Sequence, residues 1–337
     1  MRYKKKIIQK SGALTILSYC AIIAAQMKII HGLTNLTGRF SNPVLTIGNF
    51  DGVHLGHQAI LKKVVERARE ISGTSIVFTF EPHPLKVLAP ERAPKLLNTF
   101  SGKMNLLAAA GIDVVICEDF TRAFAEQNPD DFSRTILHDK IAVQEVYVGY
   151  DYAFGRGREG SIKSLKKIGR SYGFYVGMVE AVRVHGIVAS SSAIRDFISS
   201  GKIEEAARLL GRYYAIEGEV VHGSHRGHEL GFPTANLRTP NELLPAFGVY
   251  AVLVSVGGIR QQGVASIGVR PTFDSGPLSV EVYLFDFNDD LYGKQMEVFF
   301  VGFLREEKKF TGAQSLIYQM QRDVEDAKKL FLTQPLS

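Results

Sequence analysis

Apolar positions along the chain fall into two regimes. Between residues 44 and 179 short apolar runs alternate with longer amphipathic stretches, at 44–47, 59–71, 75–80, 103–110, 114–117, 130–137, 146–148 and 174–179. β-Branched runs of strand length, separated by stretches of helical period, predict βαβ units and a parallel sheet. Segments 194–198 and 203–210 add two helices divided at Ser200-Gly201. Beyond Gly211, strand runs follow one another with turn signals between them, at 214–222, 249–256, 263–267, 278–285 and 295–303. No long helix intervenes, which predicts a mostly antiparallel barrel or sandwich. The final segment, 312–332, has the pattern of one amphipathic helix. The predicted fold class is an α/β, Rossmann-like domain over residues 27–205, followed by a mostly antiparallel β-barrel domain with a C-terminal helix over 206–337.

Composition narrows the class. A chain of 337 residues, 45% hydrophobic and 22% charged, suits two globular domains that each bury a core. Its formal charge of +6 favours polyanionic ligands, and nucleotide phosphates qualify as well as a nucleic-acid backbone. Lysines and arginines are spread out rather than clustered with aromatics, which argues against a nucleic-acid partner. Cys20 and Cys117 are too far apart for a metal knuckle and too few for a disulfide framework, so a reducing, cytoplasmic setting is expected.

Residues 1–26 cut against that expectation. Arg2 and Lys4 to Lys6 precede an apolar stretch at 13–25, and Leu17-Ser18-Tyr19-Cys20 resembles a lipoprotein cleavage box. The stretch is shorter than the ~20 residues a bilayer span needs. Met27 is followed at once by the strand-like Lys28-Ile29-Ile30. The segment is therefore expected to be an upstream extension from a misassigned start, with a targeting segment as the alternative and no membrane partner.

The richest segment is Thr46-Ile47-Gly48-Asn49-Phe50-Asp51-Gly52-Val53-His54-Leu55-Gly56-His57-Gln58. It passes from a strand, through a glycine-punctuated turn, into a helix. Glycines there let backbone approach a phosphate, and the helix N-terminus supplies free N–H groups and the positive end of a dipole. His54 and His57 are three apart, so both project from that first turn. Two imidazoles so placed can hold ATP phosphates and stabilise charge developing at the α-phosphorus without a covalent intermediate. A plain turn-and-cap role is the bland alternative. The stretch resembles nucleotidyltransferases of the His-x-Gly-His class and, more narrowly, the N-terminal half of bacterial bifunctional riboflavin kinase/FAD synthetases. The resemblance implies an ATP site at Gly48, Asn49, Phe50, Asp51, Gly52, His54 and His57.

Three later segments extend that resemblance over most of residues 27–200. Phe78-Thr79-Phe80-Glu81-Pro82-His83-Pro84 follows a strand, and in the family it lines the flavin pocket, implicating Phe80, Pro82, His83 and Pro84. A glycine- and arginine-rich loop, 148–160, contains Asp151, which matches a family position that meets nucleotide and flavin. Ser190-Ser191-Ser192-Ala193-Ile194-Arg195 opens a helix with hydroxyls and a guanidinium suited to the β- and γ-phosphates of ATP, implicating Ser191, Ser192 and Arg195. The commonest family form has threonine and arginine where Ser192 and Ala193 stand, so one charge is missing and ATP is expected to be held less tightly there.

The second half carries Gly231-Phe232-Pro233-Thr234-Ala235-Asn236, then Gly268-Val269-Arg270-Pro271-Thr272-Phe273, then Glu281-Val282-Tyr283. Each alone reads as a hairpin turn. Their order resembles riboflavin kinase domains across residues 212–330. Thr234 and Asn236 alternate on one strand face, so a hydroxyl and an amide oxygen can meet a hard cation such as Mg²⁺ beside nucleotide phosphates, and the resemblance makes them the metal-site residues. It also makes Glu281 the general base for the ribityl hydroxyl. Gly223, Gly227 and His228 match the family's glycine-rich phosphate loop, and with Gly231, Phe232, Pro233, Thr234 and Arg270 they are the implied ATP and flavin contacts. His228 stands where the family commonly has arginine or lysine, and a neutral imidazole is expected to hold phosphate less firmly.

The activity implied is ATP-dependent phosphorylation of riboflavin to FMN and adenylylation of FMN to FAD, with ATP, riboflavin and FMN as substrates. A single-activity flavin enzyme with one degenerate site is the alternative. The residues do not disclose oligomeric state, the flux-limiting step, channelling of FMN, or preference for reduced flavin.

Overall fold

The computed structural model describes residues 27–223, 231–269 and 278–333. Strands β1 (Lys28–His31), β2 (Val44–Ile47), β3 (Ser75–Glu81), β4 (Val114–Asp119) and β5 (Glu145–Gly149) come first. A two-residue pair, β6 (Ala153–Phe154) with β7 (Gly160–Ser161), precedes β8 (Tyr175–Val179), and another, β9 (Arg183–Val184) with β10 (Ile187–Val188), follows it. The long strands build a six-stranded sheet in the order β1-β4-β3-β2-β5-β8, and every pairing in it is parallel. From β2 the chain moves outward through β3 to β4, then returns to the other side of β2 as β5. That reversal makes a topological switch point at the C-terminal ends of β2 and β5, where open parallel sheets place their ligands.

Helices α1 (Leu55–Glu70) and α3 (Phe100–Ala109) lie on one face of the sheet. Helix α1 buries Ile60, Leu61, Val64, Val65 and Ala68, a helical spacing that turns one stripe toward Val44 and Val77. Short helices α2 (Pro84–Leu88), α4 (Arg122–Ala125) and α5 (Pro129–Phe132) occupy the loops, and α6 (Ile162–Tyr172) covers the opposite face. The segment expected as a helix at 130–137 is one α-turn continuing into a wider π-helical stretch, Ser133–Lys140, with Ile136 and Leu137 buried.

The second half is a closed barrel of β11 (Tyr214–Val221), β12 (Thr234–Arg238), β13 (Gly248–Val256), β14 (Ile259–Val269), β15 (Leu278–Leu284) and β16 (Gln295–Arg305), ordered β11-β12-β15-β14-β13-β16 with every pairing antiparallel. Alternate residues of β11 are buried, the period-two pattern of a strand with one face on a core. Helix α9 (Ala313–Thr333) packs outside the barrel, where Arg305 forks onto the buried Asp323 at 2.8 and 2.7 Å.

Helices α7 (Ser191–Ser199) and α8 (Ile203–Leu210) join the halves. Ile194, Ile198, Ile203, Leu209 and Leu210 bury into the same cluster as Tyr250, Val252 and Phe300 of the barrel, and so does Leu97 from the α/β half. Polar ties flank this packing: Lys86 pairs with Glu242, the Leu96 N–H donates to Glu242 at 2.9 Å, and Ser101 donates to Glu217 at 2.7 Å. Among the described residues no helix is long and apolar enough to cross a membrane.

Candidate active sites

The turn after β2 is tightly specified. Gly48 donates to Phe78 O at 3.1 Å, then Phe50, Gly52 and Val53 all take positive φ, at 50°, 83° and 38°. Glycine is required at 52, since a Cβ there would lie 2.5 Å from the Leu97 side chain. His54 caps α1: its Nδ1 accepts the His57 N–H at 3.3 Å. Because Nδ1 is the acceptor, the proton of a neutral ring sits on Nε2, which leaves a donor for a ligand. The His54 and His57 rings stack with centroids 3.6 Å apart, and Gly56 leaves them room, since a Cβ there would come within 3.1 Å of the His54 ring.

Both rings are held neutral. Burial, with Arg212 and Arg195 nearby, lowers His54 to about 4, and burial, His54 and Arg212 hold His57 well below its ordinary value. Neutral imidazoles offer N–H donors to phosphate without carrying a proton that must be managed at pH 7. His57 Nδ1 is buried and has no hydrogen-bond partner among the described residues.

Other elements converge on this turn. Asp51 is buried, its Oδ1 accepts the Leu97 N–H at 2.9 Å, and its other oxygen pairs with Arg195 of α7. Burial raises the Asp51 carboxyl, and Arg195 opposes that rise. Ser191 Oγ donates to Asp51 O at 2.8 Å, and Arg195 Nε donates to Lys95 O at 2.8 Å. Ser190 rather than Ser191 or Ser192 caps α7, and Ser192 faces solvent. Thus Ser191 and Arg195 brace the Asp51 turn in this structure.

At the end of β3, His83 Nε2 lies 3.2 Å from Asn49 Nδ2, and burial, with Arg195, Lys103 and Lys86 nearby, lowers His83 to about 4. Phe80 stands against Phe120 and Phe124 with centroids at 5.3 and 5.7 Å, an apolar wall next to that histidine. Pro82 and Pro84 flank His83 where the chain turns into α2. Asp151 follows β5, the other strand of the switch point, and is exposed.

A cleft between these elements is lined by Asn49, Asp51, Phe80, Glu81, His83 and, from α3 and the loop before it, Asn98, Thr99 and Lys103. Lys103 is a functional candidate that sequence reasoning passes over. Its side chain is only 8% exposed, and apart from the Phe100 ring 5.8 Å from its Nζ it has no hydrogen-bond or ion-pair partner among the described residues. Burial lowers its ammonium, while Cys117, Glu81 and Asp51 act the other way. The available signal is position: Lys103 falls on the helix stripe of Phe100, Met104 and Leu107, where an apolar residue belongs.

The barrel carries a second constellation. Asn236 on β12 stands opposite Glu281 on β15, and Thr234 opposite Tyr283. Val280, Val282 and Leu284 point into the barrel core, so Glu281 and Tyr283 face outward. Thr234, Asn236 and Glu281 therefore share one outer face. Asn236 is buried beneath Gly223, where a Cβ would come 2.1 Å from the amide nitrogen, so only glycine allows that approach. Gly231 takes φ 80°, and Phe232, followed by Pro233, sets its ring edge-on to Tyr283 at 5.2 Å. Gly227, His228 and Arg270, together with residues 1–26, lie outside the described residues. No group of three or more His, Cys, Asp or Glu side chains suited to a metal occurs among the described residues.

Known proteins resemble the chain along nearly all of this architecture. The family model for FAD synthetase matches residues 38–193, and that for riboflavin kinase matches 210–331. The bifunctional riboflavin kinase/FMN adenylyltransferase of Escherichia coli (strain K12) is 39% identical over 312 residues, covering 92% of this chain and 100% of that protein. Its counterpart in Haemophilus influenzae is 38% identical over 306 residues, covering 90% and 99%. A solved structure described as a macrolide-efflux protein from Streptococcus pneumoniae superposes with a TM-score of 0.82 at 29% identity, over 90% of this chain and 99% of that one.

Proposed function

Because the chain belongs to the family of bifunctional riboflavin kinase/FMN adenylyltransferases, we propose how its residues divide the two reactions of that family. The chain phosphorylates riboflavin to FMN and adenylylates FMN to FAD with release of pyrophosphate, using ATP in both steps. The efflux activity in the description of the streptococcal structure is not carried over, since both family models and the curated relatives point to flavin chemistry. One observation carries the division: two polar constellations that share no residue, stacked imidazoles at the sheet's switch point and a carboxylate opposite a buried amide on the barrel.

In the adenylyltransferase half, Gly48, Asn49, Phe50, Asp51 and Gly52 shape the nucleotide turn, braced by Ser191 and Arg195, with Ser192 and Asp151 at its rim. His54 and His57 donate to ATP phosphate oxygens as the FMN phosphate attacks the α-phosphorus and pyrophosphate departs. Phe80, Pro82, His83 and Pro84 wall the flavin. Lys103 takes an anionic oxygen of FMN, because its ammonium belongs to a residue lining the cleft and has no hydrogen-bond or ion-pair partner among the described residues. Lys103→Met is expected to raise KM for FMN in adenylylation by about tenfold, the worth of one hydrogen bond to a charged group. An unchanged KM would remove Lys103 from the site.

In the kinase half, Glu281 accepts the proton of the ribityl hydroxyl as that oxygen attacks the γ-phosphorus of ATP, the bond to the β–γ bridging oxygen breaks and ADP departs. Gly223, Gly231, Phe232 and Pro233 border the substrates, and the motif resemblance adds Gly227, His228 and Arg270 to the ATP and flavin contacts. Thr234 and Asn236 present hydroxyl and amide oxygens on one face, a hard donor set that suits Mg²⁺, and these two residues would hold it. When bound, the ion would neutralise charge on the phosphates.

The experiment is incubation of purified chain with riboflavin, ATP and Mg²⁺, with products resolved by chromatography. FMN and then FAD are expected. FMN alone would remove the first site, and FAD formed only from supplied FMN would remove the second.

A further inference from the structure

Arg212 follows α8 and opens the barrel half, beyond the 38–193 match and within the 210–331 match. Its guanidinium nevertheless reaches the histidine turn of the other half. Nη2 donates to Gly52 O at 2.7 Å, and Nη1 donates to Val53 O at 3.1 Å and to Leu210 O at 3.4 Å. Gln58 of α1 doubles the link, donating to Val53 O at 2.9 Å and Leu210 O at 2.8 Å. Gly52 and Val53 immediately precede His54, and Val53 holds φ 38°, a conformation that a β-branched residue adopts only under constraint.

From this geometry we infer that Arg212 is a positioning residue of the adenylyltransferase centre, by which the barrel half fixes the left-handed Gly52-Val53 turn and so aims His54 and His57 at the nucleotide. The inference rests on the reading of those histidines given above. Leu55 packs against Gly211, where a Cβ would come within 2.6 Å, so the approach of the linker to α1 is close enough to fix this geometry. Burial lowers the Arg212 guanidinium to about 10, and Glu297 of β16 acts the other way, favouring the charged form. Arg212 also sets the charge behind the rings. Besides burial, Arg212 acts on both histidines and Arg195, paired with Asp51, acts on His54; both cations favour neutral imidazole. Removing one cation raises the imidazole pKa, so neutral rings are lost at a higher pH than before.

The test uses the full chain with Arg212→Met and Arg212→Lys, measuring both reactions. Arg212→Met is expected to lower kcat for FMN adenylylation by about 10²-fold, the cost of a misplacement of about 1 Å. KM for ATP is expected to stay within about threefold and the riboflavin kinase rate within about twofold, because no kinase contact is touched. The acid limb of the adenylylation pH profile moves upward. Arg212→Lys keeps the charge and leaves that limb in place, while kcat falls less because fewer bonds are lost. Unchanged adenylylation in Arg212→Met, or an equal loss of both activities, overturns the inference. If Arg212→Met does not fold, Arg212→Lys decides alone: a selective fall in adenylylation supports the inference, and an equal fall in both or no fall overturns it. Should His57→Ala leave adenylylation intact, the histidine assignment fails first; should His57→Ala abolish it while Arg212 variants do not, only this inference fails.

Discussion

Glu281→Ala stops FMN formation while FAD synthesis from supplied FMN continues. The expected fall in kinase kcat is about 10²–10⁴-fold, the range a positioned general base supplies. The argument is positional. On β15 the neighbours Val280 and Val282 face the core, so Glu281 must look outward, and its register partner across β12 is the buried Asn236. Ser266 of β14 flanks it on the other side. Paired on both sides within a closed barrel, the Glu281 backbone has little freedom to drift, so the position from which its carboxylate projects is fixed. Quantifying FMN and FAD by chromatography in paired assays, one fed riboflavin and one fed FMN, checks the result. Undiminished FMN formation would remove Glu281 as the base, and joint loss of both products would show that the two centres are not separable.

His57→Ala has the opposite selectivity. Adenylylation of FMN is expected to fall by about 10²–10³-fold, comparable with loss of one preorganised donor at a developing charge, while riboflavin phosphorylation stays within about twofold. His57 is stacked on His54, its backbone N–H is the group that orients the His54 ring, and its own Nδ1 has no hydrogen-bond partner among the described residues. Alanine keeps the backbone bond to His54 and deletes only the imidazole. The loss therefore reports the ring itself rather than the cap of α1. Pyrophosphate release measured with FMN and ATP is the direct readout, and an unaffected rate would take His57 out of the catalytic set.

Much of the architecture was legible along the chain because local patterning determines it. The apolar runs at 44–47, 75–80 and 114–117 are β2, β3 and β4 to within two residues, and the period-two runs after Gly211 became a closed antiparallel barrel. The 130–137 segment departed from its pattern, since its helix widens after Phe132. Motif order was enough to expect two phosphate-handling centres, and the two family models match the same halves. Sequence spacing also placed His54 and His57 on one helical turn, since residues three apart share a face.

What the sequence by itself determined, then, is the class of each element and the chemistry carried at its ends, because periodicity, glycine and proline act over a few residues. The tertiary structure alone decided which distant residues meet. Lys103 came to line the cleft beside Asp51, Glu81 and His83 only when α3 packed near the β3 end. Asn236 met Glu281 only through strand register, and Arg212 reached the Gly52 carbonyl across 160 residues of chain. Such meetings depend on how whole elements pack, a long-range balance of burial and hydrogen bonding that no local pattern encodes.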